Sequence, residues 1–582
     1  MRKTDKKART VSNQSWTWLA IFILALGLRL MGLDFGLPYL SNFYVRPDET
    51  LLVVPAVRFF ESRGNPLFFA YPALMMVMLS IFFQAFFLAG RVFNHAVSSD
   101  IVSCFIRDMS PFFLIGRVIS ALAGALIAVL IYHLGRRLSN QKAGLISALY
   151  FAVSPLSVRD SHFAVTDILM TFFLVLVIYQ VLRYLSRPSS REHGALVAAS
   201  VIAGLAMATK YMALMLVPLC LAVVILKNGR WPWRKTLPQA FLVGAVSGSV
   251  FFIINPYAAV NFMAFLREII GILKTFYFPK NPPFAWTPLS IWRQILPPLG
   301  YGPGGIIGLM FCLAGIYSVL RRRPVSKEKM VLVLGLVLFL LPLIPVRYFI
   351  PFRYVIPLFP FIALLTGEGF LAAYRWRSSF LTRGLVLALA LSASLFGLFR
   401  SVGMDILLTR RDTRTLAGRW ISGHVPQDVP VVILGGPECE PQIRESRTSI
   451  KRRIDYVNRR YGERSGEIVS EIYRLQLRSW SGNSDDGYEV YRNPKDSKIQ
   501  GDSVCLVLPN YPLSMANFDP DLKEQFSGKI LQRVKFKSLD KEEEDFVLDR
   551  IDAFFLPFNK LEKVIHPGPE LEVILLSKKR ER

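Results

Sequence analysis

The stretch Tyr44-Val45-Arg46-Pro47-Asp48-Glu49 decides how the rest of the chain is interpreted. It follows the first apolar run and precedes many more, so an arginine and two adjacent carboxylates stand beside segments of membrane length. A further acidic residue, Asp167, ends the segment 159–167 between two later apolar runs. We expect Asp167 and the pair Asp48-Glu49 to face the same side of a membrane and to share one site.

The composition is that of an integral membrane protein. Of the 582 residues, 52% are hydrophobic and 13% aromatic, and the mean hydropathy is +0.38, which is too apolar for a soluble chain. The net charge of +27 lies in the first part. Residues 402–582 hold about 30 Lys and Arg against about 29 Asp and Glu, and residues 1–401 about 39 against about 13. Basic residues in short loops between apolar runs orient membrane helices, so we expect no nucleic-acid partner.

The cysteines and the N-terminus carry two smaller predictions. The five cysteines show no Cys-x-x-Cys or Cys/His spacing, which gives a structural zinc site no support. Cys439 and Cys505 either pair, if their region is extracytoplasmic, or remain two unlinked thiols. The basic residues 2–9 precede the apolar run 16–31 without a convincing cleavage site, which predicts a retained first helix and a cytoplasmic N-terminus.

Flanking charges set the predicted topology. A spanning helix needs about 20 apolar residues, and Lys and Arg mark its cytoplasmic end. The run 112–134 ends in Gly135-Arg136-Arg137 and therefore ends inside, so the run 72–93 is expected to lie along or dip into the outer face. The fold class is thus a polytopic α-helical membrane protein with about eleven transmembrane helices. These are predicted at 16–33, 112–134, 143–158, 168–185, 194–209, 211–226, 239–254, 302–320, 329–346, 351–373 and 384–400.

The pattern predicts two domains. Residues 1–401 form the transmembrane domain, with outer loops at 34–111 and 256–300. Residues 402–582 are charged and contain short β-like runs at 431–434, 504–508 and 571–576, and helical patterns at 413–424 and 465–478. We expect an extracytoplasmic α/β domain there, in which no phosphate loop, dinucleotide fingerprint or Ser-His-Asp order is visible.

The candidate acidic site residues are Asp48, Glu49 and Asp167. Deprotonating a hydroxyl or amine requires a carboxylate within hydrogen-bond reach, which Asp48 and Glu49 would provide. The alternative for this pair is a solvated acidic loop. The alternative for Asp167 is a carboxylate that merely favours the start of a helix.

Several basic residues are predicted near the outer face. Charges at membrane depth are costly unless they are paired or functional, and a group of cations there indicates an anionic ligand such as a lipid phosphate. Interfacial anchoring is the alternative for any single one. His162 is a further candidate, with a structural or solvated histidine as its alternative. The basic candidates are Arg46, Arg117, Lys210, Arg347 and Arg353.

The order of several short motifs resembles a known family. Asp48-Glu49 lies in the first outer loop, Tyr71-Pro72 opens the next apolar run, and Arg117 heads a helix that ends in Leu-Gly-Arg-Arg-Leu. Ser154-Pro155-Leu156 then precedes a loop ending in Thr166-Asp167, followed by Ala-Thr-Lys-Tyr at 208–211. Over residues 16–400 the chain is similar to the GT-C glycosyltransferases. Within them it resembles the family 39 branch that is protein O-mannosyltransferase-like and aminoarabinose-transferase-like.

The resemblance implies a GT-C fold and transfer of a sugar, mannose or similar, from a polyprenyl-phosphate donor on the outer side of a bacterial inner membrane. Asp48 would be the general base with Glu49 beside it, Asp167 would position donor or acceptor, and Arg117 would contact the donor phosphate. The partners would be the lipid-linked donor, membrane lipids and an acceptor that is a protein, a lipid or a polysaccharide. No cofactor is expected, and a divalent metal is not expected to be obligatory, because Asp167 stands alone where related oligosaccharyltransferases carry Asp-x-Asp.

Two other interpretations stay open at this point. A transporter or flippase for polyprenyl-linked sugars would use the carboxylates and arginines as a substrate pathway. The sequence shows no inverted repeat, which speaks against it. A membrane-anchored receptor or assembly factor would instead use residues 402–582 as its working domain.

Overall fold

A computed structural model describes most of the chain: residues 2–39, 45–66, 68–92, 100–188, 192–229, 233–376, 379–479, 486–494, 499, 501–526, 528–540, 545–552 and 554–578. Tyr44, at the start of the opening stretch, lies outside the described residues. The α-helices are α1 Arg2–Leu30, α2 Pro47–Val57, α3 Leu74–Val92, α4 Ile101–Arg107, α5 Ser110–Leu138, α6 Gln141–Ala152, α7 Pro155–Ser161, α8 Thr166–Ser186, α9 His193–Met207, α10 Leu216–Asn228, α11 Trp233–Ile254, α12 Pro256–Val260, α13 Phe262–Tyr277, α14 Pro288–Gly300, α15 Gly305–Arg321, α16 Lys327–Leu340, α17 Phe359–Trp376, α18 Phe380–Leu408, α19 Thr413–His424, α20 Arg447–Ser479 and α21 Pro520–Glu524.

The structure confirms a polytopic helical membrane protein. Within the described ranges, 7 helical segments are long and apolar enough to cross a membrane, or 8 if α14 and α15, bent by 106°, count as one span. This is fewer than the eleven crossings expected. The α3 helix meets the same criterion, so its placement along the outer face stays a prediction.

Three of the predicted crossings are absent from this count because the helices in their apolar runs are short or broken. The predicted helix 143–158 is interrupted between α6 and α7, because the residue before Pro155 is disfavoured in helical conformation. The predicted helix 329–346 ends as α16 at Leu340, where Pro342 enters a short 3₁₀ turn. The α9 helix stops at Met207, which leaves a 15-residue helix.

The chain folds into two compact units. The helical unit comprises Met1–Met31, Phe69–Met75 and Arg117–Asp405; the sheet unit comprises Gly32–Phe68, Met76–Gly116 and Ile406–Arg582. The predicted boundary after residue 401 falls inside α18, close to this division. Much of the predicted outer loop 34–111 groups with the C-terminal region, and packing such as the edge-on pair Phe35 and Phe554 accounts for this.

Close helix approach in the helical unit depends on glycine. A Cβ at Gly315 of α15 would strike the Leu365 carbonyl oxygen of α17, and one at Gly369 would strike the Phe311 carbonyl oxygen. Without side chains at these two positions the backbones of α15 and α17 come together, as small residues allow in membrane helix pairs.

The sheet unit contains the predicted α/β domain. Its strands are β1 Val431–Ile433, β2 Val490–Arg492, β3 Ser503–Asn510, β4 Gly528–Phe536 and β5 Glu570–Lys578, in the order β2-β1-β3-β5-β4. The β1 strand is parallel to β2 and β3, while β5 is antiparallel to β3 and β4. Alternate residues of β1, β3 and β5 enter two separate buried clusters, so both faces of the sheet are covered.

Cys439 and Cys505 do not pair. Both are free, buried thiols in the cluster on one face of the sheet. The alternative of two unlinked thiols therefore holds, and burial raises the pKa of the Cys505 thiol to about 12.

Candidate active site

A buried charge cluster in the helical unit brings together three of the predicted site residues. Asp167 is 2% exposed and lies in the first turn of α8. Its Oδ1 is 2.5 Å from Lys210 Nζ and its Oδ2 is 3.8 Å from Arg353 Nε. The sequence separates these residues widely, and tertiary packing unites them.

Breaks between helices position all three side chains. Val165 is extended immediately before α8. Lys210 is extended, at φ −154° and ψ 134°, between α9 and the 3₁₀ turn Tyr211–Met215. Arg353 lies in the 3₁₀ segment Phe352–Leu358, which follows Pro351. Irregular backbone among membrane helices is tolerated where protein buries it, and here it carries the two cations, whereas Asp167 lies just inside α8.

The cluster holds two cations and one carboxylate. The Lys210 ammonium also lies 4.4 Å from the ring centre of Tyr354, a cation–π distance. Removing one partner from a buried ion pair costs roughly 3–5 kcal/mol, because the remaining charge is left uncompensated. The formal charge of the three groups is positive, so the cluster is suited to hold an anionic group.

Asp48 and Glu49 lie in the sheet unit, in the first turn of α2. Glu49 is fully buried; its Oε2 accepts a hydrogen bond from the Tyr39 hydroxyl at 3.3 Å, and its backbone N–H donates to the Arg46 carbonyl at 3.1 Å. A solvated acidic loop would not bury Glu49, so the paired carboxylates form a structured turn.

Arg46 precedes this turn and is itself buried. Its guanidinium forms an ion pair with the Asp552 carboxylate, which is also buried. Arg46 was predicted among the cations that would bind an anionic ligand, and the structure shows that one of its partners is a carboxylate of the C-terminal region.

Arg117, His162 and Arg347 occupy different settings. Arg117 is fully buried, with its guanidinium carbon 5.4 Å from the Phe163 ring centre. The two ring nitrogens of His162 lie 2.9 Å from the Val158 carbonyl oxygen and 2.8 Å from that of Met31, and these contacts favour the structural alternative. Arg347 is exposed, and its backbone N–H donates to the Phe276 carbonyl at 2.8 Å. The contacts described for Asp167 do not include it.

Sequence reasoning missed a buried ion pair in α7. Arg159 Nη2 lies 2.7 Å from Asp160 Oδ2, with side chains 1% and 0% exposed. Both residues stand in the same short segment as Asp167, and charges between apolar runs are a visible signal. Asp552 gave no such signal, since it lies in a region rich in charge.

Two predictions about the site remain predictions. Asp48 belongs to the sheet unit and Asp167 to the helical unit, and the single site that they would share stays a prediction. Among the described ranges, no group of three His, Cys, Asp or Glu side chains is placed to hold a metal ion. That no divalent ion is obligatory stays a prediction.

The features above define a class: a polytopic membrane protein with buried charges at helix breaks and an α/β sheet region. Residues 113–255 match the family model described as "Dolichyl-phosphate-mannose-protein mannosyltransferase". This segment contains Arg117, Asp167 and Lys210. The match confirms, over these residues, the resemblance to GT-C glycosyltransferases of the protein O-mannosyltransferase type.

Several solved structures match the chain at low identity. ArnT from Cupriavidus metallidurans bound to undecaprenyl phosphate is 13% identical, with 96% of this chain and 98% of that chain covered and a TM-score of 0.46. The oligosaccharyltransferase AglB from Archaeoglobus fulgidus is 14% identical, covers 72% of this chain and has a TM-score of 0.44; the present chain spans 62% of its length. The Pmt1-Pmt2 complex of S. cerevisiae is 19% identical, with coverages of 44% and 34% and a TM-score of 0.34. No curated protein sequence matches the chain.

Proposed function

We propose that the protein is a membrane glycosyltransferase that moves a sugar, mannose or a similar one, from a polyprenyl-phosphate donor to an acceptor on the extracytoplasmic face of the cell membrane. The observation that carries this proposal is the buried cluster of Asp167, Lys210 and Arg353. Two of its three members lie inside the segment that matches the mannosyltransferase family. Buried charges among apolar helices are costly unless they are paired or functional. Binding of a lipid phosphate would be the function of these charges.

The donor phosphate would bind to Lys210 and Arg353. The Asp167 carboxylate contacts both cations, so it would fix their positions before the donor arrives. Preorganised cations stabilise charge that develops in a transition state without reorganising at the moment of reaction. Arg117 is the further donor contact that the family resemblance implies.

The acceptor would be activated by Asp48. This carboxylate takes the proton from the acceptor hydroxyl or amine, the freed electron pair forms a bond to the anomeric carbon of the sugar, and the bond from that carbon to the phosphate oxygen breaks. The polyprenyl phosphate leaves with that electron pair. Glu49, buried beside Tyr39, would keep the turn in place.

The positive charge needed by the leaving group would come from the protein. Lys210 and Arg353 place two cations beside the Asp167 carboxylate. Related oligosaccharyltransferases are expected to carry the metal-binding motif Asp-x-Asp at this position. We therefore propose that sugar transfer does not require a divalent ion.

The test is sugar transfer by purified protein in liposomes. Labelled polyprenyl-phosphate mannose, and then other polyprenyl-phosphate sugars, would be offered with total membrane extract as the source of acceptor. We expect label in a product with the wild type and a large loss with Asp48→Asn and with Asp167→Asn. The chemistry of the labelled product would identify the acceptor as protein Ser/Thr, lipid head group or polysaccharide.

Two results would overturn the proposal. Label that stays on the donor while the donor crosses the bilayer would make the protein a flippase. Label that neither moves to a product nor crosses, with every sugar tried, would favour a receptor or assembly factor.

A further inference from the structure

We infer that Asp552, in the C-terminal region, is a positioning residue for the turn that carries Asp48 and Glu49, and that it acts through Arg46. The inference concerns the sheet unit alone, in which all four residues lie. Its consequence for activity rests on the proposed function, in which Asp48 removes the acceptor proton. It assigns a role in the reaction to a part of the chain that the family match over residues 113–255 does not include.

Arg46 is the residue on which the turn depends. It caps the N-terminus of α2, with φ −142° and ψ 86°, and its carbonyl accepts the backbone N–H of Glu49 at 3.1 Å. Its own side chain gives the helix no capping hydrogen bond and instead pairs with Asp552. The ion pair therefore fixes the backbone from which Asp48 and Glu49 project.

Asp552 is held firmly enough to serve as an anchor. Its side chain is 4% exposed and that of Arg46 is 1% exposed. The backbone N–H of Asp552 lies 3.4 Å from Asp549 Oδ1, and the nearby Phe554 ring packs edge-on against Phe35 at 6.4 Å. The carboxylate thus belongs to a packed segment.

The opposite end of α2 offers a matched comparison. Arg58, just after the helix, forms an ion pair with Glu471 of α20, with side chains 23% and 10% exposed. Both ends of this 11-residue helix are therefore bound by arginine to a carboxylate of the C-terminal region. Only the Arg46 end adjoins the proposed base.

The expected effect is on turnover. Without Asp552 the buried Arg46 guanidinium loses a partner for its charge. Arg46, the N-cap residue of α2, would then move until its guanidinium reaches solvent or another acceptor. A displacement of the Asp48 carboxylate by about 1 Å would lower the rate of transfer roughly 100-fold. The donor is expected to bind in the helical unit, so donor KM should hardly change.

The experiment compares Asp552→Ala, Asp552→Asn and Asp552→Glu with the control Glu471→Gln in the full-length protein. We expect kcat to fall about 10- to 100-fold in the first two, with donor KM within about twofold of wild type. Asp552→Glu, which keeps the charge, should recover most of the turnover. Glu471→Gln should keep the wild-type kcat, although its Tm falls.

Hydrogen exchange provides a second measurement that does not depend on sugar transfer. The peptide containing Glu49 should exchange about tenfold faster in Asp552→Ala than in the wild type or in Glu471→Gln, because its amide hydrogen bond to Arg46 is weakened. If the wild type transfers no sugar but this exchange difference is found, the proposed chemistry fails and the anchoring role of Asp552 stands. Equal exchange in all proteins overturns the inference, and so does a turnover of Asp552→Ala equal to that of the control when the wild type transfers sugar.

Discussion

Carboxylates pair with cations both in the Asp167 cluster and at residues 46–49, here called the Arg46 turn. The two regions differ in which parts of the chain supply the partners. Asp167, Lys210 and Arg353 all come from breaks between apolar helices, in one unit. The Arg46 turn instead depends on Asp552, which lies 506 positions away in the chain. A charge in an apolar run is conspicuous in a sequence, whereas a charge among many others is not. The ion pair that is harder to find in the sequence is nevertheless deeply buried on both sides.

The difference suggests that the two regions have separate functions. The helix breaks provide cations for an anionic group, and the turn provides two adjacent carboxylates, of which Glu49 is buried. If both serve one reaction, damage to each should reduce transfer in a different kinetic parameter.

Replacement of Asp48 by Asn should have the largest effect on transfer. A positioned general base contributes about 10²- to 10⁴-fold to rate, and the amide cannot accept the proton, so kcat should fall by that factor with donor KM little changed. The measurement is initial rate in liposomes at several donor concentrations. Glu61→Gln is the control, because Glu61 is an exposed carboxylate, 48% accessible, beyond the other end of α2. Full activity of Asp48→Asn would remove the turn from the chemistry.

Replacement of Asp167 by Asn should lower kcat/KM about 100-fold, because Lys210 and Arg353 lose the carboxylate that orients them. It should also destabilise the protein by roughly 3–5 kcal/mol. The matched control is Glu192→Gln, which breaks the Glu192–Lys227 pair, 2.5 Å apart, elsewhere in the helical unit. Thermal melting and donor titration would be measured on both.

The control separates stability from function. Glu192→Gln should lower Tm to a similar degree while transfer per folded molecule is kept. If the two variants lose transfer in proportion to folded protein, the Asp167 cluster is structural and the comparison between the two regions fails.

Replacement of Glu445 by Gln should act on stability alone. Burial by itself would raise the pKa of Glu445, but the guanidinium groups of Arg492 and Arg453 outweigh it and lower the pKa to about 2. A carboxylate with a depressed pKa in the folded state stabilises the protein above its unfolded value and loses this contribution as the pH falls towards 2. The contribution at pH 7 is roughly 3 kcal/mol.

Melting of the full-length protein between pH 7 and pH 3 would check the sign. The difference in Tm between wild type and Glu445→Gln should be large at pH 7 and should shrink as the pH falls below about 4.5. A difference that grows in acid would contradict this assignment.

Removal of divalent ions should have the smallest effect. Because Lys210 and Arg353 already place two cations at Asp167, we expect transfer to persist after treatment with a chelator. Transfer would be measured with and without added Mg²⁺ or Mn²⁺. Loss of activity that is restored by either ion would show that the cations of the cluster do not replace a metal.

Much of the fold follows from local pattern. Apolar runs predicted α5 and α8 to within a few residues and the end of α11, and short apolar runs predicted β1, β3 and β5. Sequence reasoning missed β2, which has only three residues, and β4, most of whose side chains are exposed. A strand at the edge of a sheet has no buried alternation to reveal it.

The site was predictable only in part. Asp167, Lys210 and Arg353 were predicted as candidates because each interrupts apolar sequence, and the structure joins them. The surroundings of His162 could not be predicted, since the contacts of its ring nitrogens with two backbone carbonyl oxygens do not follow from residue order. The helix break at Ser154 was missed, although Pro155 is a visible signal for it.

Hydropathy and charge are local properties of a segment, and they were enough to show that this is a membrane protein whose carboxylates and cations lie near helix ends. Which of these charges meet was settled only by folding. The pairing of Arg46 with Asp552 and of Asp167 with Lys210 depends on where distant backbone segments pack. A buried charge requires a partner within a few ångströms, but residue order does not specify which segment supplies it.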